Sequence, residues 1–248
     1  MSLYLSAGLI FLGFVLGPFL GIIVDRAVKR EPLVLEHRCP NCKNSLGILS
    51  VIPFIHWFQK CDTCSDSRIY RYIFVDLLAS LLFVLMGYKF GFESVLIPYL
   101  LIAAVFTVLV VIDFETHLLP NIIVWPSVWC SLVLLAVFSY LIVDDYKFAN
   151  ALAGALIYSG FLFVSFLLYP KGMGLGDVKL ALLLGAYIGW LEPNISEVLI
   201  NVLYALLIST ASGGFLGLAY NYIMKRGRAE IPFGPFLVAG TVLVILIS

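Results

Sequence analysis

Residues 94–113 read Ser94-Val95-Leu96-Ile97-Pro98-Tyr99-Leu100-Leu101-Ile102-Ala103-Ala104-Val105-Phe106-Thr107-Val108-Leu109-Val110-Val111-Ile112-Asp113. The run is uncharged until a carboxylate ends it. A helix needs roughly 17–25 apolar residues to cross the hydrocarbon core of a bilayer, and this stretch is long enough. Seven others read the same way, so that eight spans are expected, at 3–24, 70–89, 94–112, 120–143, 148–169, 177–191, 196–223 and 231–247. The sixth is short, and Gly172, Gly174 and Gly176 stand before it. Short glycine-interrupted segments mark sites inside membranes, where non-helical backbone must be satisfied by protein or cavity water.

Composition agrees. Of 248 residues, 62% are hydrophobic and 12% are charged, against about a quarter charged in a soluble domain. The fold class expected is an all-α polytopic membrane protein, with the lipid bilayer as its first partner. The net charge is zero, which gives no bulk attraction to nucleic acid, and none is expected as a partner. The segment from Met1 to Val24 has neither a basic leading region nor a small-residue cleavage site, and reads as a retained first helix.

Charge placement sets the orientation. With eight spans and both termini outside, the inner loops and their edges hold every basic residue of the 15 except Lys89 and Lys147, as the positive-inside rule requires. The division expected is a first transmembrane helix at 1–24, a cytoplasmic loop at 25–69 and a seven-helix membrane domain at 70–248. The outer loops are brief, and no internal repeat is evident.

The cytoplasmic loop holds Cys39-Pro-Asn-Cys42 and Cys61-Asp-Thr-Cys64, separated by 18 residues. Two C-x-x-C knuckles at this distance have the spacing of a structural zinc site. A loop too small for a hydrophobic core gains from a metal staple, and cytoplasmic thiols seldom stay oxidised. The alternatives are redox C-x-x-C motifs or four unliganded thiols. His37 and His56 lie nearby but are not needed as ligands. Cys130 stands alone in an apolar run and reads as a small buried hydrophobe.

Two acids stand at the ends of apolar runs. Asp113 closes the third, and Asp177 opens the sixth in Gly172-Met173-Gly174-Leu175-Gly176-Asp177. The topology puts both at the cytoplasmic face. Two carboxylates sharing a site cannot easily both ionise, so one can act as base while the other holds a proton. Such a pair can activate water against an amide. Gly174 and Gly176 would let a peptide backbone approach closely, or adopt positive φ. The plainer alternative makes each aspartate a helix-end residue, with Asp177 an N-cap. Asp76 and Glu115 lie near the inner surface and are expected to be solvated; Asp144 and Asp145 fall in an outer loop without a role.

The run Gly172 to Leu180, followed by Gly185-Ala186 and Gly189, resembles the G-x-G-D signature of type IV prepilin peptidases. Asp113, with Leu118-Leu119-Pro120-Asn121, resembles that family's first catalytic motif. The C-x-x-C pairs are similar to the zinc loop of its bacterial members, and Ile231-Pro232-Phe233-Gly234-Pro235 to the entry of its last helix. The resemblance covers nearly the whole chain in order; G-x-G-D alone is shared with presenilin-like and signal-peptide-peptidase-like enzymes. It implies catalytic Asp113 and Asp177 and cytoplasmic cleavage of pilin-like precursors after a glycine. It also implies N-methylation of the new amino terminus from S-adenosylmethionine, in a bacterial inner membrane. The sequence departs from the family at Pro18 and Gly21, where serine and asparagine are usual. It departs again at Ile73 and Asp76, in place of proline and glutamate, and at Asn121, in place of aspartate. Two other readings remain: a peptidase without methyltransferase activity, and a non-enzymatic membrane transporter or assembly factor.

Overall fold

A computed structural model describes residues 3–29, 31, 52–58, 69–142, 146–170, 173–224 and 232–248. The described residues form helices α1 (Leu3–Val28), α2 (Ile69–Phe90), α3 (Leu96–Thr116), α4 (Asn121–Ile142), α5 (Tyr146–Leu168), α6 (Leu175–Leu191), α7 (Ile195–Met224) and α8 (Gly234–Ile247), with a short 3-10 turn at Ile55–Phe58. Each helix overlaps one expected span. Six are long and apolar enough to cross a bilayer, namely α1 to α5 and α7. Among the described residues α6 has 17 residues and α8 has 14, which at about 1.5 Å per residue is shorter than a full hydrocarbon core. The helices also carry large apolar side chains outward, among them Trp129 at 62%, Val133 at 63%, Leu156 at 68% and Leu207 at 64% exposure. Apolar surface on this scale suits lipid and not water. Cys130 belongs to that outward face of α4 instead of the core.

The chain divides into two compact units, Met1–Glu115 and Thr116–Ser248. In the first, α1 and α2 pack antiparallel through small residues. Gly13, Gly17 and Gly21 recur every fourth position of α1 and meet Ser80, Asp76 and Tyr72 of α2 in turn. A β-carbon on Gly13 would come 2.3 Å from Ser80 Oγ, so the two backbones lie closer than larger residues allow. This is how membrane helices gain contact when lipid supplies no hydrophobic drive. Ser80 Oγ donates to the Ile10 carbonyl across the seam at 3.2 Å. Stacking of Phe90 on Tyr99, 4.2 Å between centroids, and an edge contact of Phe74 with Phe114 hold α3 to α2.

In the second unit α6 lies innermost, packed by α4, α5, α7 and α8. Every residue from Leu183 to Trp190 is buried. On α5, Gly154 meets the Gly185 carbonyl, while Gly189 meets the Asn150 carbonyl; a β-carbon at either glycine would stand 2.2 or 2.1 Å from that oxygen. Two polar pairs lie inside: Tyr187 Oη donates to Ser131 Oγ at 3.3 Å and Trp190 Nε1 to Ser139 Oγ at 2.8 Å. A helix sheathed by neighbours need not match the bilayer by its own length, which accounts for the shortness of α6.

Candidate active site

The first unit carries Asp113. Helix α3 runs on to Thr116, so Asp113 lies in its last turn and does not end it. The residue is buried, with 4% of its surface exposed. Near it in sequence, Glu115 accepts from Arg71 of α2, whose guanidinium also donates to Asp25 of α1. Tyr72 Oη donates to the second oxygen of Asp25 at 2.8 Å. One arginine thus ties together the ends of α1, α2 and α3. Charged groups at this depth are tolerated when paired in this manner.

Asp76 departs from expectation. It is fully buried, not solvated. Trp57 Nε1 donates to its Oδ2 at 2.7 Å, and His56 Nε2 stands 3.3 Å from the same oxygen. Burying a carboxylate without a donor is costly, and the 3-10 turn supplies one in Trp57 Nε1. Sequence reasoning missed Arg71, Asp25, His56 and Trp57. A tryptophan inside a polar loop was the available signal for the last.

The second unit carries Asp177. Helix α6 begins at Leu175 with Gly174 as its N-cap, and no side chain caps it. Asp177 is the third helical residue, its amide donating to the Gly174 carbonyl at 3.2 Å, so the N-cap alternative fails. Its half-buried carboxylate lies in the first turn, where the partial positive charge of the helix N-terminus stabilises an anion. Gly174 has φ −84°, a value open to any residue. A β-carbon on Gly176 would reach 3.1 Å from Leu119 Cβ, so this glycine admits the segment leading into α4. Lys179 Nζ donates to Asn121 Oδ1 at 2.8 Å. The G-x-G-D segment and Leu118–Asn121 are therefore joined within one unit.

Cys39, Cys42, Cys61 and Cys64 lie outside the described residues. Among the described residues no group of His, Cys, Asp and Glu suits a metal ion.

Residues 100–218 match the type IV leader peptidase family, and residues 11–90 match the bacterial peptidase A24 N-terminal domain. Proteins named prepilin leader peptidase/N-methyltransferase are similar along most of the chain. That of Stutzerimonas stutzeri is 28% identical, covering 93% of this chain and 87% of its own. That of Aeromonas hydrophila is 30% identical over 86% and 73%, and that of Dichelobacter nodosus 31% identical over 83% and 68%. No solved structure matches. With both aspartate motifs inside the peptidase match, most of the α1–α2 segment inside the bacterial N-terminal match and a 30% identical relative covered to 73%, the chain belongs to the type IV leader peptidase family.

Proposed function

We propose that this protein is an intramembrane aspartic endopeptidase that removes the leader of type IV pilin-like precursors at the cytoplasmic face, then methylates the exposed amino terminus with S-adenosylmethionine as donor. The observation that carries the reading is the peptidase-family match over residues 100–218, which contains both Asp113 and Asp177. Relatives bearing the double name supply the second activity. The transporter or assembly-factor alternative has no such support.

Asp113 and Asp177 are the catalytic pair in this reading. The ionised member takes a proton from water, while the protonated member donates a hydrogen bond to the scissile carbonyl. The attacking oxygen bonds to the carbonyl carbon. The C–N bond then breaks as the leaving amine takes a proton, and the two acids exchange roles. Gly174 and Gly176 leave room for the extended substrate backbone beside Asp177.

The surroundings follow from charge and donor chemistry. Eight membrane-crossing segments, with α6 and α8 as the short ones, put both termini outside and the loop at 25–69 in the cytoplasm of a bacterium bounded by its inner membrane. Cys39, Cys42, Cys61 and Cys64 are four soft thiolates in two knuckles, the donor set of a closed structural zinc site. Methyl transfer belongs to that loop and the adjoining helix ends, since a large polar donor needs a partly solvated surface. The bound donor supplies an electrophilic methyl group; the chain's task is to hold the new amine and donor in line.

The test is purified full-length enzyme with a labelled pilin precursor, with and without S-adenosylmethionine. Leader release without donor and a methylated new terminus with it are expected. Release without methylation leaves the peptidase-only form, and no release overturns the reading.

A further inference from the structure

The turn at Ile55–Phe58 sits between the two cysteine knuckles, with Cys42 before it and Cys61 after it. It is seated on the membrane helices and not suspended above them. Phe54 stacks on Phe14 of α1 at 4.8 Å, and Trp57 packs against both rings at 5.9 and 5.3 Å. His56 meets the edge of Tyr72 on α2 at 5.5 Å. The turn is held open by Phe54 at φ 66°, a conformation a bulky residue adopts only when its surroundings fix it.

At the centre of this seat is Asp76, fully buried and approached through Oδ2 by both Trp57 Nε1 and His56 Nε2. Its Oδ1 has no hydrogen-bond partner among the described residues and faces Gly17 of α1. The contact joins α1 and α2 to the turn at Ile55–Phe58. A hydrophobic anchor alone would hold the turn, but a buried carboxylate that accepts from Trp57 and stands 3.3 Å from His56 Nε2 also fixes its register and rotation. All of these residues fall within the bacterial N-terminal match, apart from the peptidase match that contains both aspartates.

We infer that Asp76, with His56 and Trp57, is a positioning site that seats the turn at Ile55–Phe58 on the α1–α2 hairpin, and that methyl transfer depends on it while leader cleavage does not. The inference rests on the methyltransferase half of the proposed function. Donor and amine must be held in line for the methyl group to move, so a displaced turn loses rate steeply; a shift of about 1 Å can cost about a hundredfold. Hydrolysis at the aspartates needs no such register from the loop.

The experiment uses the full-length enzyme and measures cleavage of the precursor and methylation of pre-cleaved pilin separately, together with zinc content. Trp57→Phe keeps the aromatic anchor and removes the N–H donor; Asp76→Ala removes the acceptor; Asp76→Asn restores one. Methylation is expected to fall at least about tenfold in Trp57→Phe and Asp76→Ala, with cleavage within about twofold and partial recovery in Asp76→Asn. Equal loss of both activities in Trp57→Phe would show a merely structural role and overturn the inference, as would undiminished methylation in Trp57→Phe and Asp76→Ala. If the unaltered enzyme cleaves but never methylates, the methyltransferase reading fails and takes this inference with it.

Discussion

Gly17 and Asp76 share one space: a β-carbon added to Gly17 would come 1.7 Å from Asp76 Oδ1. The relationship explains how α1 and α2 can lie close around a buried carboxylate. It also makes Gly17 intolerant of the smallest enlargement. Gly17→Ala is expected to destabilise the protein by about 1–3 kcal/mol, the ordinary cost of overpacking. Gly8, on the same helix, has nothing within 4 Å of an added β-carbon, and Gly8→Ala should be neutral or stabilising by up to about 1 kcal/mol. Thermal unfolding in mild detergent compares the two; equal effects would contradict the packing.

Asp113→Asn and Asp177→Asn should each reduce precursor cleavage by about a hundredfold to ten-thousandfold or more, because each removes an acid–base partner. Both variants should fold, since a neutral amide at that depth costs less than a charge. The pH–rate curve of the unaltered enzyme should be bell-shaped. Activity rises as one carboxyl of the pair loses its proton and falls as the second does, and both limbs belong to the pair. Wild-type cleavage by a well-folded variant of either residue would remove that aspartate from the mechanism.

The two glycines before Asp177 should behave differently. A β-carbon on Gly174 meets nothing nearer than 3.8 Å, whereas one on Gly176 presses on Leu119. Gly176→Ala is therefore expected to lower stability by about 1 kcal/mol, the low end of overpacking, with recovery in the Gly176→Ala, Leu119→Ala double variant. Gly174→Ala should leave the melting temperature unchanged, so any loss of cleavage there reports on substrate approach. Unfolding and single-turnover cleavage, measured on the same preparations, separate the two effects.

Asn121→Asp should strengthen the link to Lys179 by turning its neutral acceptor into a carboxylate. The bond is exposed, so the gain is at most about 1 kcal/mol. Lys179→Met should cancel it. A double-mutant cycle on thermal stability gives the coupling directly, and a zero coupling would mean the pair contributes nothing to joining α4 and α6.

One zinc per chain is expected from elemental analysis of metal-free-buffer preparations. Replacing any one of Cys39, Cys42, Cys61 or Cys64 by serine should release it and expose the remaining thiols to alkylation, because four-coordinate structural sites collapse when a ligand is lost. Full alkylation of all four thiols in the unaltered protein would exclude the site.

Apolar run length determined the helices on its own. Residues 94–112 were bound to be a helix in lipid because a backbone there has no other way to satisfy its polar groups, and α3 covers Leu96–Thr116. The chemical identity of the acids was equally legible, since Asp113 and Asp177 stand where apolar runs end. The surroundings of α6 were not legible: hydropathy cannot tell a lipid-facing helix from one wrapped by neighbours, and only packing against Gly154, Ser131 and Ser139 showed the second. Asp76 was beyond reach for a related reason. A carboxylate near a helix end looks solvated until distant residues are brought to it, and Trp57 and Gly17, 19 and 59 positions away, meet it only through the tertiary fold. Local periodicity fixes which segments are helices; which polar groups they bury depends on long-range contacts that no short window of sequence contains.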